Sequence, residues 1–139
     1  MKRFQKVLCV LMALALMSII PAAAFAVNPN TQSKTSSGAD GSMTVTYSVR
    51  LTISNPTDKA TVSMSVAPAT TPTYKCTKLT ISPQMGIPRD MANILNSTGK
   101  SSASRTLDIG YYNTTAAVTA YMSASSVGRG SSSCTLTAS

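Results

Sequence analysis

No histidine, glutamate or tryptophan occurs in the chain, and charged residues make up only 12% of its 139 residues. Each absence removes a class of chemistry. Without histidine there is no Ser-His or Cys-His nucleophile pair and no imidazole ligand for a metal. Without glutamate the side-chain carboxylates reduce to Asp40, Asp58, Asp90 and Asp108. Asp40 and Asp58 stand in turn sequences, where a short carboxylate serves local hydrogen bonds. A glycosidase needs two carboxylates facing one cleft, and nothing in the spacing of these four suggests that pairing. No enzyme, cofactor or metal site is expected.

Long apolar runs are also scarce; there is one, at the start. Met1–Lys6 is basic, Val7–Ile20 is apolar over 14 residues, and Ala24-Phe25-Ala26 is a small-x-small triplet. That order is a secretory signal peptide, expected to be cut between Ala26 and Val27. The run is shorter than the roughly 20 residues a membrane-spanning helix needs. No transmembrane segment is expected once it is removed. The exported chain, Val27–Ser139, carries nine basic residues against four Asp. Its charge of about +5 is mild and dispersed. It suits an anionic cell-envelope polymer, a glycan or a protein, and gives no support to nucleic-acid binding, which wants a basic patch or run. The location expected is secreted, at the cell surface or in the medium.

Cys76 and Cys134 survive signal removal. In an oxidising compartment they are expected to form a disulfide. Closing a loop of that length contributes roughly 4 kcal/mol in the chain-entropy treatment.

What is present is alternation. Met43, Val45, Tyr47, Val49, Leu51 and Ile53 alternate with Thr44, Thr46, Ser48, Arg50, Thr52 and Ser54. A period of two over that length is a β-strand with one buried face. Residues 27–41 before it are almost free of apolar side chains and read as a flexible Ser/Thr-rich tail. Asn55-Pro56-Thr57-Asp58 has turn chemistry. Lys59–Ala67 alternates again, with Ala60, Val62, Met64 and Val66 on one face. A four-residue loop then predicts a hairpin pairing Leu51 with Val62 and Tyr47 with Val66.

Pro68 and Pro72 interrupt the pattern. Thr73–Ser82 is a strand whose phase slips at Thr77-Lys78, which predicts a β-bulge or a crossing between sheets. Residues 90–96 read equally as a helical turn or a short edge strand. Arg105–Tyr111 and Ala116–Ala124 alternate and are expected to form a second hairpin, with Ile109 opposite Val118. A last strand carries Cys134, Leu136 and Ala138. One-sided alternation demands a second layer. The expectation is all-β: a single domain over 42–139, a two-sheet antiparallel sandwich of immunoglobulin-like architecture with six or seven short strands, and a small barrel as second choice.

Short motifs add little. Ser97-Thr98-Gly99-Lys100 has the Ser-x-x-Lys spacing of acyl-transfer enzymes without the rest of that constellation. Gly99-Lys100-Ser101 lacks the first glycine of a phosphate loop, since position 94 is Ile94. Asn96-Ser97-Thr98 and Asn113-Thr114-Thr115 have the form of glycosylation acceptors. Tyr112, in a turn, and Tyr121, pointing outward, are the candidate contact residues. From Ile109 to Gly128 no residue is charged. That strand is either central in its sheet or meets another chain. Two functions follow. The first is a non-enzymatic exported sandwich that binds by contact. The second is a structural subunit that self-assembles through strand edges.

Overall fold

The computed structural model describes residues 29–139. The signal segment and the Ala26–Val27 junction lie outside the described residues. All eight elements are strands: β1 Asn30–Gly38, β2 Gly41–Thr52, β3 Lys59–Ala67, β4 Thr73–Pro83, β5 Arg89–Thr98, β6 Ser102–Asp108, β7 Thr115–Ser126 and β8 Gly130–Ala138. They form two four-stranded antiparallel sheets, ordered β1-β2-β3-β6 and β5-β4-β7-β8. Each sheet keeps two free edges, so no barrel closes. No helix among the described residues is long and apolar enough to cross a membrane.

The two sheets bury the faces that alternation marks. Met43, Val45, Tyr47, Val49, Leu51, Ala60, Val62 and Met64 from the first sheet share one core with Tyr74, Cys76, Leu79, Ile81, Val118 and Ala120 from the second. Burying a side chain of Val or Leu size contributes about 1.5–3 kcal/mol. The large polar members of this core are satisfied. Tyr47 reaches across the sandwich, its phenol 2.5 Å from Ser132 Oγ, and Tyr74 donates to the Ser101 carbonyl at 2.6 Å. Burial pushes both phenols above their ordinary pKa.

Residues 30–38, expected as part of a tail, form the edge strand β1. It escapes an apolar pattern because neither of its faces is apolar. Thr31, Ser33 and Thr35 bond across to Ser48, Thr46 and Thr44 on the outer surface. Such hydroxyl pairs stabilise a sheet at the surface. On the other side Asn30 Nδ2 donates to the Thr137 carbonyl and Ser36 Oγ to the Arg129 carbonyl, both on or beside β8.

The β2–β3 hairpin forms two residues away from the expected register. Leu51 faces Ala60, Val49 faces Val62 and Tyr47 faces Met64. The connection is therefore six residues, Ile53–Asp58, closed by Ser54 Oγ donating to the Thr57 carbonyl. A slip of two residues keeps every inward side chain inward, so alternation alone does not distinguish the two registers.

The second expected hairpin is corrected outright. β6 pairs with β3, and β7 pairs with β4 in the other sheet. Residues 109–114 cross between the layers. The carboxylate of Asp58, fully buried, holds that crossing: it accepts from the backbone N–H of Asn113 at 2.9 Å, Thr115 at 3.1 Å and Thr114 at 3.4 Å.

The disulfide is also overturned. Cys76 and Cys134 are buried free thiols. Cys76 lies opposite Met122, and Met122 lies opposite Cys134. A whole strand separates them, so their Cα atoms stand roughly 10 Å apart at two inter-strand spacings. Bridging is restricted to about 7 Å or less. Cys134 Sγ instead donates to Gln32 Oε1 at 2.9 Å. Burial raises the pKa of both thiols.

Residues 90–96, read as a helical turn or a strand, belong to β5. The expected phase slip is a β-bulge between Cys76 and Lys78 that leaves Thr77 unpaired. It has a positional consequence. Tyr74 and Cys76 point into the core, so an unbroken strand would also send Lys78 inward. The bulge turns Lys78 out and sends Leu79 and Ile81 in.

Candidate functional site

Tyr121, one of the two sequence candidates, stands on the outer face of β7 and is exposed. β7 is central, between β4 and β8, which explains how an uncharged strand is protected from pairing with another chain. The bulge puts Lys78 directly opposite Tyr121. Lys78 Nζ lies 4.4 Å from the centre of the phenol ring, a cation–π contact. Lys78 also pairs with Asp90 at 3.4 Å, and Thr80 Oγ1 donates to Asp90 Oδ1 at 2.6 Å. The Thr80 hydrogen bond first, then the Lys78 charge, hold the Asp90 carboxyl below its ordinary range. The ring face under Lys78 is covered, so Tyr121 does not offer that face to a sugar.

Tyr112, the other candidate, is at a different place. It is 46% exposed, on the crossing loop at the end of the sandwich. From Thr115 to Tyr121 the extended strand runs on the order of 20 Å. The two tyrosines do not form one site. Near Tyr112 the β4–β5 loop exposes Met85 and Ile87, at 91% and 87%. Gln84 N–H donates to the Thr114 carbonyl at 2.6 Å and ties the two loops together. Pro83 and Pro88 bracket that apolar pair in the sequence.

Beyond Tyr121 along β7 the outer face becomes an open depression. Thr73 and Lys75 of β4 line one side, Ser123 and Ser125 of β7 the floor, and Ser131 and Ser133 of β8 the other side. Lys75 is exposed and makes no ion pair among the described residues, whereas Lys78 is paired with Asp90 and Lys59 with Asp108 at 3.9 Å. Lys75, Lys78 and Tyr121 thus share one face of one sheet. Neither lysine was singled out by sequence reasoning. The signal for Lys78 was the phase slip itself, which needed the register to become a direction.

The outer face of the other sheet differs. Four of its cross-strand hydroxyl pairs are engaged: Thr31–Ser48, Ser33–Thr46, Thr35–Thr44 and Thr61–Thr106 lie 2.9–3.3 Å apart. Its charges, Arg50, Lys59 and Asp108, sit toward one end.

The four aspartates serve separate contacts. Asp58 holds the crossing loop, Asp90 and Asp108 are in ion pairs, and the Asp40 N–H donates to the Gly128 carbonyl at the opposite end. No group of three or more Cys, Asp, Glu or His that could hold a metal occurs among the described residues.

The free edges are blunted. Asn93 breaks β5 with a positive φ of 54°. Arg105 of β6 donates to the Ile94 carbonyl at 2.7 Å. β1 carries Lys34 and has no apolar face, and its side chains occupy the carbonyls of Thr137 in β8 and of Arg129 just before it. These are the devices by which sheets avoid edge-to-edge addition.

Comparison of the chain with protein-family models, with curated proteins and with solved structures gave no match.

Proposed function

We propose that this chain is a non-enzymatic, exported β-sandwich that acts by contact at the cell surface or in the surrounding medium. Its contact surface is the outer face of the β5-β4-β7-β8 sheet, and its partner is an anionic polymer or glycan of the cell envelope. The observation that carries this reading is Lys75, a cation without an ion-pair partner in an open, hydroxyl-lined depression beside Lys78 and Tyr121. A dispersed positive charge attracts anionic surfaces over about a Debye length. A rigid sheet face then holds cation, aromatic ring and hydroxyls in fixed register. The alternative, a subunit that self-assembles through strand edges, draws less support, because every free edge carries a blunting feature.

The test is sedimentation of the exported protein with purified cell envelope. Binding is expected at low salt and is expected to be largely lost near 1 M salt, where the Debye length falls to about 3 Å. Lys75→Ala should weaken the low-salt binding several-fold. Binding that is absent at both salts, or that is indifferent to Lys75→Ala, contradicts the proposal.

A further inference from the structure

We propose that the Lys75 depression is a subsite for a tetrahedral oxyanion, a phosphate or sulfate ester carried on the partner polymer, and that it discriminates against carboxylates. This rests on the contact reading above and names the group that is recognised.

The argument starts from register. Ser123 lies opposite Ser133, and Ser125 opposite Ser131. Their Cα atoms mark a rectangle of roughly 5 Å by 7 Å on one face of two adjacent strands. On the other side of β7, Lys75 lies opposite Ser123 and Thr73 opposite Ser125. The six side chains form two rows across three strands and line one depression.

Several hydroxyl pairs elsewhere on the surface bond to each other, and this sheet also does so at Thr73–Thr98, 3.2 Å, and Thr119–Thr137, 2.8 Å. The four serines of the depression make no such bond among the described residues, and neither do Ser63–Ser104 and Ser65–Ser102 on the other sheet; what sets the depression apart is a lysine, Lys75, directly opposite one of its serines. None of the four serine hydroxyls of the depression bonds to another protein group among the described residues, although they face one another in pairs. Ser132, between two of them, turns to the core and meets Tyr47. The depression therefore presents four unengaged hydroxyl donors and one ammonium group without an ion-pair partner. It contains no carboxylate.

That inventory selects an anion, because an ammonium group gives three donors and no acceptor. It also selects among anions. A carboxylate has two oxygens in one plane, and a few donors saturate it. A phosphate or sulfate ester sets four oxygens at the corners of a tetrahedron, two of them non-bridging in a phosphodiester and three terminal in a sulfate ester, and so meets donors arriving out of one plane from both strands. Hydrogen bonds to ionised acceptors are the strong ones.

Binding of the purified exported protein to three soluble polymers of matched charge density separates the outcomes: a poly(glycerol phosphate), dextran sulfate and polygalacturonate. The two tetrahedral polymers should bind at least about tenfold more tightly than the carboxylate polymer, the ratio expected for one extra charge-assisted hydrogen bond. A Ser123→Ala, Ser133→Ala double variant should bring that ratio near one without lowering the melting temperature. The two tetrahedral polymers compared with each other show whether phosphate or sulfate is the source. Equal binding of all three overturns the inference and leaves the contact reading standing, as does a ratio unchanged in the double variant. No binding of any polymer overturns both.

Discussion

Val62→Asp is expected to abolish folding of the sandwich. Val62 is fully buried on β3, a central strand between β2 and β6. It faces Val49 on one side and Arg105 on the other, and its side chain enters the shared core. The substitution removes an apolar group worth about 1.5–3 kcal/mol when buried. It also brings a carboxylate into the core, where the one cation opposite, Arg105, is already engaged with the Ile94 carbonyl; even a neutral polar group buried unpaired costs about 1–3 kcal/mol, with a charge costing more. Together these rival the whole stability of a typical domain, about 5–15 kcal/mol. Ser65→Asp, between the inward Met64 and Val66 and itself on the exposed face, is the control and should change stability by no more than about 0.5 kcal/mol. Circular dichroism with a urea titration reads both. A cooperative Val62→Asp transition near the wild-type midpoint would mean that the inward face has been assigned wrongly.

Asp58→Ala should destabilise by about 3–5 kcal/mol, the scale at which several buried donors lose a charged acceptor. Among the described residues the carboxylate is the only side-chain acceptor for the backbone N–H groups of Asn113, Thr114 and Thr115, of which Thr114 also donates to the Tyr111 carbonyl at 3.1 Å, and it receives Ser54 N–H at 3.4 Å. Those groups anchor the passage of the chain from one sheet to the other. Asp58→Asn retains one oxygen of the two and should lose about half as much. The measurement is the urea midpoint at unchanged slope, since unchanged slope marks a change of stability alone. A loss below about 1 kcal/mol for Asp58→Ala would mean that water replaces the carboxylate without cost.

The fold was legible wherever one face of a strand is apolar. Six of the eight strands announce themselves this way, and the phase slip at Thr77-Lys78 located the bulge to the residue. Three things were not legible, for separate physical reasons. Pairing partners were hidden because alternation reports which way a side chain points and is silent on what lies beside it. An even slip of register and a wrong neighbour both preserve it, and so 105–111 and 116–124 read as a hairpin although they join different sheets.

β1 was hidden because its stability comes from hydroxyl pairs and side-chain bonds to β8. Its trace in the sequence is the polar alternation Thr31, Ser33, Thr35, mirrored after Asp40-Gly41 by Thr44, Thr46, Ser48. The cysteines misled because compartment and count argue for a bridge, while only the strand order reveals Met122 between them. The site was the least legible part. Tyr121 was visible as an outward aromatic, but Lys75 and the four serines are ordinary residues individually. They become a site only when three strands are laid side by side.

The most direct measurement is amide chemical-shift mapping of the isotopically labelled exported protein during titration with a phosphodiester envelope polymer. The account predicts shifts concentrated at Lys75, Lys78, Tyr121, Ser123 and Ser133, with Thr46, Ser63 and Ser104 on the opposite outer face unmoved. Shifts confined to that opposite face or to the β5 and β6 edges, or no shift at all, would contradict it.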